Sequence, residues 1–284
     1  MVISDDASVD ATRAIIIDFA RLAPFPVRLH TNSVRLGSTR NFEMAIRACE
    51  SDIIFLCDQD DVWYEDKIAL MEKCFVDNES VGMVFSDADV VDQDLRQFVL
   101  RLWKAVRFNP REQAQVATFN AFPVLRKRFI VTGATMAFRS VYRDLVLPIS
   151  DKWGHDGWIA LLISATSDIQ ALANPLIAYR QHSANQIGVP PRGKNRGKTC
   201  AAVHGPQVLR YEAALARLQE FADRFPDSRH NVLKLDEILT FLRLRAALPD
   251  ARLPRLATAW RQFITLQYHR HAQGFKSFRK DILR

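Results

Sequence analysis

Three aspartates, Asp58, Asp60 and Asp61, follow directly on an apolar run at residues 53–57. Ile53, Ile54 and Phe55 favour a buried strand. Such a strand delivers several like charges to one sheet edge, where their repulsion calls for a positive partner. Carboxylates with open positions suit a hard cation, Mg²⁺ or Mn²⁺, which characteristically bridges protein oxygens and substrate phosphates. The implied ligand is therefore phosphorylated. Asp5 and Asp6 stand in the equivalent place after residues 1–4, as do Asp87 and Asp89 after residues 82–86. In open parallel sheets ligands bind beyond the carboxyl ends of the strands, so three strands bring aspartates to that edge.

The elements that must hold these groups alternate between the two periodicities of an α/β protein. Residues 1–4, 27–31, 53–57 and 82–86 read as strands. A helix at residues 11–23 is closed by Pro24, and another beyond Gly37, capped by Ser38 or Thr39, carries Phe42, Ala45, Ile46 and Cys49 on one face. Residues 96–128 give only a partly helical connection. Residues 130–139 read as strand-like around Gly133, residues 155–167 as a helix, and residues 169–179 as a return through the sheet. The Gly-, Pro- and base-rich stretch at 188–199 reads as a mobile loop, and helical patterns follow near 207–225, 231–248 and 253–271. The resulting division is a catalytic domain at 1–187, a basic loop at 188–206 and a basic helical region at 207–284.

Composition narrows the class. With 48% hydrophobic and 25% charged residues in 284, the chain has the balance of a globular protein and not of a disordered, collagenous or coiled-coil one. Its longest apolar stretch, residues 159–178, is broken by Ser164, Asp168 and Asn174, which excludes a membrane span there. The first residues lack a basic flank and apolar core, so a cytoplasmic location is expected. Cys49, Cys57, Cys74 and Cys200 have no C-x-x-C spacing and read as buried free thiols. The net charge of +7 conceals a split, with 20 basic against 24 acidic residues through Ser183 and 19 against 8 after it. The acidic part suits a divalent cation, and the basic part a polyanion, either an anionic lipid surface or nucleic acid, with nucleic acid the weaker candidate.

In order along the chain stand residues 3–10 (Ile-Ser-Asp-Asp-Ala-Ser-Val-Asp), 37–42 (Gly-Ser-Thr-Arg-Asn-Phe) and 55–63 (Phe-Leu-Cys-Asp-Gln-Asp-Asp-Val-Trp). Then come Ser86-Asp87-Ala88-Asp89, Thr132 to Met136, His155-Asp156-Gly157-Trp158, and Tyr179-Arg180-Gln181-His182 with Asn185. This ordered set resembles the glycosyltransferase family 2 enzymes of the GT-A fold, particularly bacterial rhamnosyltransferase-like members of surface polysaccharide pathways, over nearly the whole chain. The resemblance implies a GT-A, Rossmann-like mixed sheet flanked by helices, with a C-terminal helical region. It also implies a further strand and helix ahead of residue 1, so that the sheet described by this sequence lacks a central strand.

What the resemblance implies for the site is specific. Asp5 and Asp6 would recognise the base of the nucleotide, uracil or thymine, and Asn41 would join them in donor binding. Asp58 would contact the ribose or the metal shell, and Asp60 would ligate Mg²⁺ or Mn²⁺, with Asp61 beside them. Asp156 would be the general base on the acceptor hydroxyl, in a single inverting displacement without a covalent intermediate. Arg180 would offer its planar fork to the diphosphate, and His182 would reach the diphosphate or the metal. Gly133, Ala134 and Trp158 would face the acceptor, while Tyr179 is expected in the core. The implied donor is deoxythymidine-diphosphate rhamnose or a uridine-diphosphate sugar, and the acceptor a glycan or lipid-linked sugar at the cytosolic membrane face. Two other readings compete: an N-terminally truncated, non-catalytic sugar-nucleotide-binding protein, and a haloacid-dehalogenase-like phosphohydrolase, whose nucleophile motif Asp58-x-Asp60-x-Val62 imitates.

Overall fold

The computed structural model of the chain describes residues 1–98, 100–181 and 198–284. Strands β1 (Val2–Asp5) and β2 (Arg28–Thr31) are joined by α1 (Thr12–Leu22) and, among the described residues, pair in parallel only with each other. Helix α2 (Ser38–Ala48) follows. It starts at Gly37, whose φ of +84° suits glycine, and not from a Ser38 or Thr39 cap. Asp6 holds this turn by accepting the N–H groups of Leu36 at 2.7 Å and Gly37 at 2.8 Å.

The larger sheet is mixed, as expected. It contains β3 (Ile53–Phe55), β4 (Val62–Trp63), β5 (Val81–Val91), β6 (Met136–Arg139) and β7 (Asp168–Arg180), in the order β3-β6-β5-β7-β4. Only β5 and β7 run parallel in it; the other three pairings are antiparallel. Every residue of β5 is buried. Its alternation sends Val84 to a small core with Met71, Cys74 and Phe75 of α3 (Lys67–Asp77). Met83 and Phe85 enter the main core on the other face. Between β5 and β6 lie α4 (Leu102–Ala105), α5 (Pro110–Ala117), α6 (Phe122–Leu125) and a 3₁₀ turn at Gly133–Thr135.

Helix α7 (Arg143–Val146) leads to α8 (His155–Thr166), which is buried on every side. Ile159, Leu162 and Ile163 face the sheet and the C-terminal helices at 0% exposure, each contributing about 1.5–3 kcal/mol of apolar burial. Helices α9 (Cys200–Glu220) and α10 (Arg229–Ala246) put Ala214, Leu218, Leu235 and Leu239 into this same core. The last three helices, α11 (Arg252–Ile264), α12 (Gln267–His271) and α13 (Phe275–Ile282), gather around Phe241, Tyr268 and Phe278.

Two expectations about this half change. The part of the expected loop at 188–197 lies outside the described residues, but residues 200–206 are helical. Thr199 caps α9 by accepting the Ala202 N–H, and the burial of Cys200, Val203 and His204 carries the helix through Pro206. The helix expected at 253–271 divides at Leu266, whose φ is +60°. No helix among the described residues is long and apolar enough to cross a membrane. Of the four free thiols, Cys74 and Cys200 are buried as expected, whereas Cys49 is half-buried and Cys57 is exposed at the strand end.

Candidate active site

The acidic loop leaves β3 at Leu56, whose N–H still donates to Met136, and is gripped from the other side by the end of β7. The Arg180 N–H donates to Asp61 Oδ1 at 2.8 Å, and the Arg180 Nε to the Asp60 carbonyl at 2.7 Å. Its Nη1 donates to the Gln93 carbonyl at 2.7 Å, so one side chain ties this loop to the turn after β5. The other carboxylate oxygen of Asp61, Oδ2, is buried without a partner among the described residues. Burial pushes the Asp61 carboxyl up to about 7, with Asp58 and Asp60 adding to the rise. Burial likewise pushes Asp58 up to about 6, followed by repulsion from Asp60 and from Asp156. Asp156, the second residue of α8, thus acts electrostatically on the same cluster. Its Oδ1 accepts the Gly157 N–H at 2.7 Å.

Lys67 was not foreseen. It opens α3, where a cation opposes the helix dipole, and it is wholly buried. Its ammonium donates to the Ala134 carbonyl at 2.7 Å and lies 3.9 Å from the centroid of the Trp63 ring. Burial draws it down to about 8, against the pull of Cys57, Asp61 and Asp58. Tyr179, half-buried beside this cluster, is pushed up to about 12 by burial and then by the same three aspartates. A Lys at a helix start six residues after Asp61 is the one sequence signal that could have marked it.

Of the residues expected to face the acceptor, Trp158 and Ala134 are buried. Trp158 is 2% exposed, and its Nε1 donates to the Val146 carbonyl at 2.8 Å. It is a core residue, packed in the main core with its ring 6.1 Å from that of Trp153. Ala134 is also buried, and its carbonyl is occupied by Lys67. Gly133 leaves room for His155: a Cβ at 133 would meet His155 Nε2 at 2.5 Å. The imidazole stacks on Phe42 with centroids 4.0 Å apart, and its Nε2 has no partner among the described residues. Burial holds it below its ordinary value, opposed by Asp156, so it stands neutral.

The residues expected to bind the donor's nucleotide, Asp5, Asp6 and Asn41, brace the fold. Asp5, 4% exposed, accepts the Arg13 Nε at 2.9 Å and the Ser8 N–H at 3.2 Å. Burial alone would raise its carboxyl, but Ser8 and Arg13 outweigh it and hold the group below the ordinary range. Asp6 adds a bond from Asn32 Nδ2 at 3.0 Å to its two backbone partners. Asn41 accepts from Ser4 Oγ and Asn32 Nδ2 and donates to the Ser4 carbonyl. These side chains stitch β1, the end of β2 and α2 together, and no hydrogen bond among the described residues joins them to residues 58–61. Asp87 likewise caps α4 at the Trp103 N–H, and Asp89 accepts from Tyr64 and Gln97. His182 lies outside the described residues.

The donor set fits a divalent cation of the hard, oxygen-liking kind. Its carboxylates crowd until two are raised, and one buried oxygen is unmatched. Among the described residues no three such side chains converge as a closed cage. One or two carboxylates completed by substrate phosphates is the usual arrangement for such ions.

Residues 1–145 match the family model described as glycosyl transferase family 2; Asp156 and Arg180 lie beyond that span. An uncharacterized protein of Mycobacterium tuberculosis is 25% identical over 188 residues, covering 64% of this chain and 50% of that protein. The dTDP-rhamnosyl transferase RfbG of Shigella flexneri is 26% identical over 204 residues, covering 66% of this chain and 64% of its own. The chain thus spans between half and two thirds of these relatives. Among solved structures, a mannosyltransferase of Pyrobaculum calidifontis in complex with GDP-Man and Mn²⁺ superposes with a TM-score of 0.43 at 19% identity, covering 99% of this chain and 73% of that one. Residues 1–349 of TarS from S. aureus, in complex with UDP, superpose with a TM-score of 0.49 at 13% identity, covering 99% and 78%.

Proposed function

Since the chain belongs to glycosyl transferase family 2, we propose that it transfers a sugar from a nucleoside-diphosphate donor to a hydroxyl of a glycan or lipid-linked acceptor, with inversion. The observation that supports this reading is the crowded acidic loop, with the buried, unmatched Oδ2 of Asp61 and the Asp58 carboxyl raised by burial and then by Asp60 and Asp156. On this reading the donor would lie against Asp58 and Asp60, with the acceptor hydroxyl at Asp156. Asp156 takes the proton of the acceptor hydroxyl, whose oxygen forms the new bond to the anomeric carbon. The bond from that carbon to the diphosphate breaks, and the leaving group carries away the electron pair. Asp60, supported by Asp58 and Asp61, would hold Mg²⁺ or Mn²⁺. A bound divalent ion supplies neutralisation of the departing diphosphate. Arg180 fixes the loop that presents these oxygens.

Deoxythymidine-diphosphate rhamnose is the first donor to test, supported by the 26% identity to a dTDP-rhamnosyl transferase; membership of this family displaces the phosphohydrolase reading. The experiment is calorimetric titration of the chain with thymidine and uridine diphosphates, with Mn²⁺ and with chelator, followed by turnover of the matching sugar nucleotide. Metal-dependent binding abolished in Asp60→Ala, with transfer to an acceptor, is the expected result. Nucleotide binding without any transfer would replace this reading with a non-catalytic binding protein.

A further inference from the structure

Helix α11 wears its apolar stripe on the outside. Leu253, Leu256, Trp260 and Ile264 recur on one helical face and are 80%, 43%, 51% and 59% exposed. The buried positions of the same helix are Arg255 and Ala259. This reverses the usual placement, in which the apolar stripe faces the core. The stripe continues to Phe275, 61% exposed. The link is the Phe263 ring, whose centroid lies 5.8 Å from that of Trp260 and 6.1 Å from that of Phe275.

Beyond the exposed Asp250 just ahead of α11, the surroundings of the stripe carry one sign of charge. Residues 251–284 contain eight Lys and Arg and a single acidic residue, Asp281. Asp281 is wholly buried and bound by Arg245, His204 and Tyr268, so it offers the surface no counter-charge. Arg261 of α11 and Lys276, Arg279 and Lys280 of α13 are exposed. The Lys276 ammonium is held below its ordinary value, first by partial burial and then by Lys280, Arg107 and Arg128. Exposed leucines and collected cations each cost the isolated chain free energy, and one kind of surface relieves both.

We propose that α11 and α13 form a docking face for an anionic lipid bilayer, with α11 lying in the plane of the interface. Leu253, Leu256, Trp260 and Ile264 enter the boundary between headgroups and acyl chains, and the lysines and arginines meet the phosphates. An apolar stripe flanked by Lys and Arg, with a Trp in it, is the composition that such interfacial helices require, and Trp is enriched at that depth. A nucleic acid would use the cations and leave the aliphatic side chains in water. A second copy stacked α11 on α11 would oppose like charges. The face is independent of the sugar-transfer reading, because it needs neither donor nor metal.

The test is co-sedimentation of the full chain with phosphatidylcholine vesicles, with and without phosphatidylglycerol, in the absence of nucleotide. Binding only to the anionic vesicles, weakened by salt, is expected, with a blue shift of tryptophan emission that Trp260→Phe removes. The double variant Leu256→Asp and Ile264→Asp should bind at least tenfold more weakly while keeping the thermal midpoint of the parent chain. Equal binding to neutral vesicles, no binding to either, or an unchanged affinity in the double variant overturns the proposal. So does a dimer that dissociates in the double variant, or oligonucleotide binding that the double variant retains while vesicles are ignored.

Discussion

The ammonium of Lys67 donates to the carbonyl of Ala134 at 2.7 Å, across 67 residues of sequence. It fastens the start of α3, and with it the acidic loop, to the 3₁₀ turn under His155. A buried methionine could bridge the same gap without the cost of desolvating a charge. The ammonium instead places a fixed cation beside carboxylates that need one.

Lys67→Met should therefore fold, yet its carboxylates at 58 and 61 should hold their protons more tightly. The pH at which the chain begins to take up Mn²⁺ is expected to move upward, read by paramagnetic resonance of free Mn²⁺ across a pH series. An unmoved midpoint would assign Lys67 a purely mechanical part.

In the parent chain the same titration has a defined direction. The carboxyls of Asp58 and Asp61 are raised to about 6 and about 7, chiefly by burial, so protons compete with the cation below that interval. Mn²⁺ affinity should rise with pH through it and level off above. A flat profile would count against these two residues as neighbours of the metal.

Asp156→Asn keeps the size of the side chain and removes its basicity. Transfer should fall by roughly 10²–10⁴-fold, while the dissociation constant for nucleoside diphosphate stays within about twofold of the parent value if the residue acts only in proton transfer. Parent-like turnover would remove Asp156 from the mechanism.

Gly133→Ala places a methyl 2.5 Å from His155 Nε2. That ring is pinned against Phe42, so relief must come from the backbone, at a cost of about 1–3 kcal/mol. A lowered thermal midpoint that His155→Ala partly restores is the expected pattern.

Acid should destabilise the whole fold through its buried histidines, two of which lie in the C-terminal helices and one, His155, in α8. Burial holds His271 down at about 4 and His204 below its ordinary value. The unfolded chain therefore binds more protons, and stability declines as pH falls below about 6.5. Asp281 follows: burial opposes its charge, but His204 and Arg245 hold it at about 2. Its contribution of about 2 kcal/mol is intact above the unfolded value near 4 and is lost as pH falls toward 2. Denaturant melts across this range would reveal any other order.

Much of this architecture could be read along the chain, and the gaps have physical causes. Residues 53–61 were readable because an apolar run broken by three aspartates carries both a strand and its chemistry in local composition. The burial of Lys67 was not, since it depends on a carbonyl 67 residues away. The resemblance sets Trp158 at the acceptor, whereas α8 is buried on every side and has no outer face to offer it. Asp5, Asp6 and Asn41 carry motif positions, yet their hydrogen bonds are spent on Arg13, Asn32 and Ser4, partners that sequence spacing alone does not nominate. The expected loop runs to residue 206, yet the burial of Cys200, Val203 and His204 carries α9 from residue 200 through Pro206.

Helix α8 belongs to no single half of the molecule. Its apolar surface is shared by the strands on one side and by α9 and α10 on the other, so neither part can melt while the other keeps its interior dry. A chain cut after residue 187 would carry α8 with one flank stripped. Proteolysis and truncation should find one cooperative unit there, and an excised N-terminal portion should aggregate, not fold.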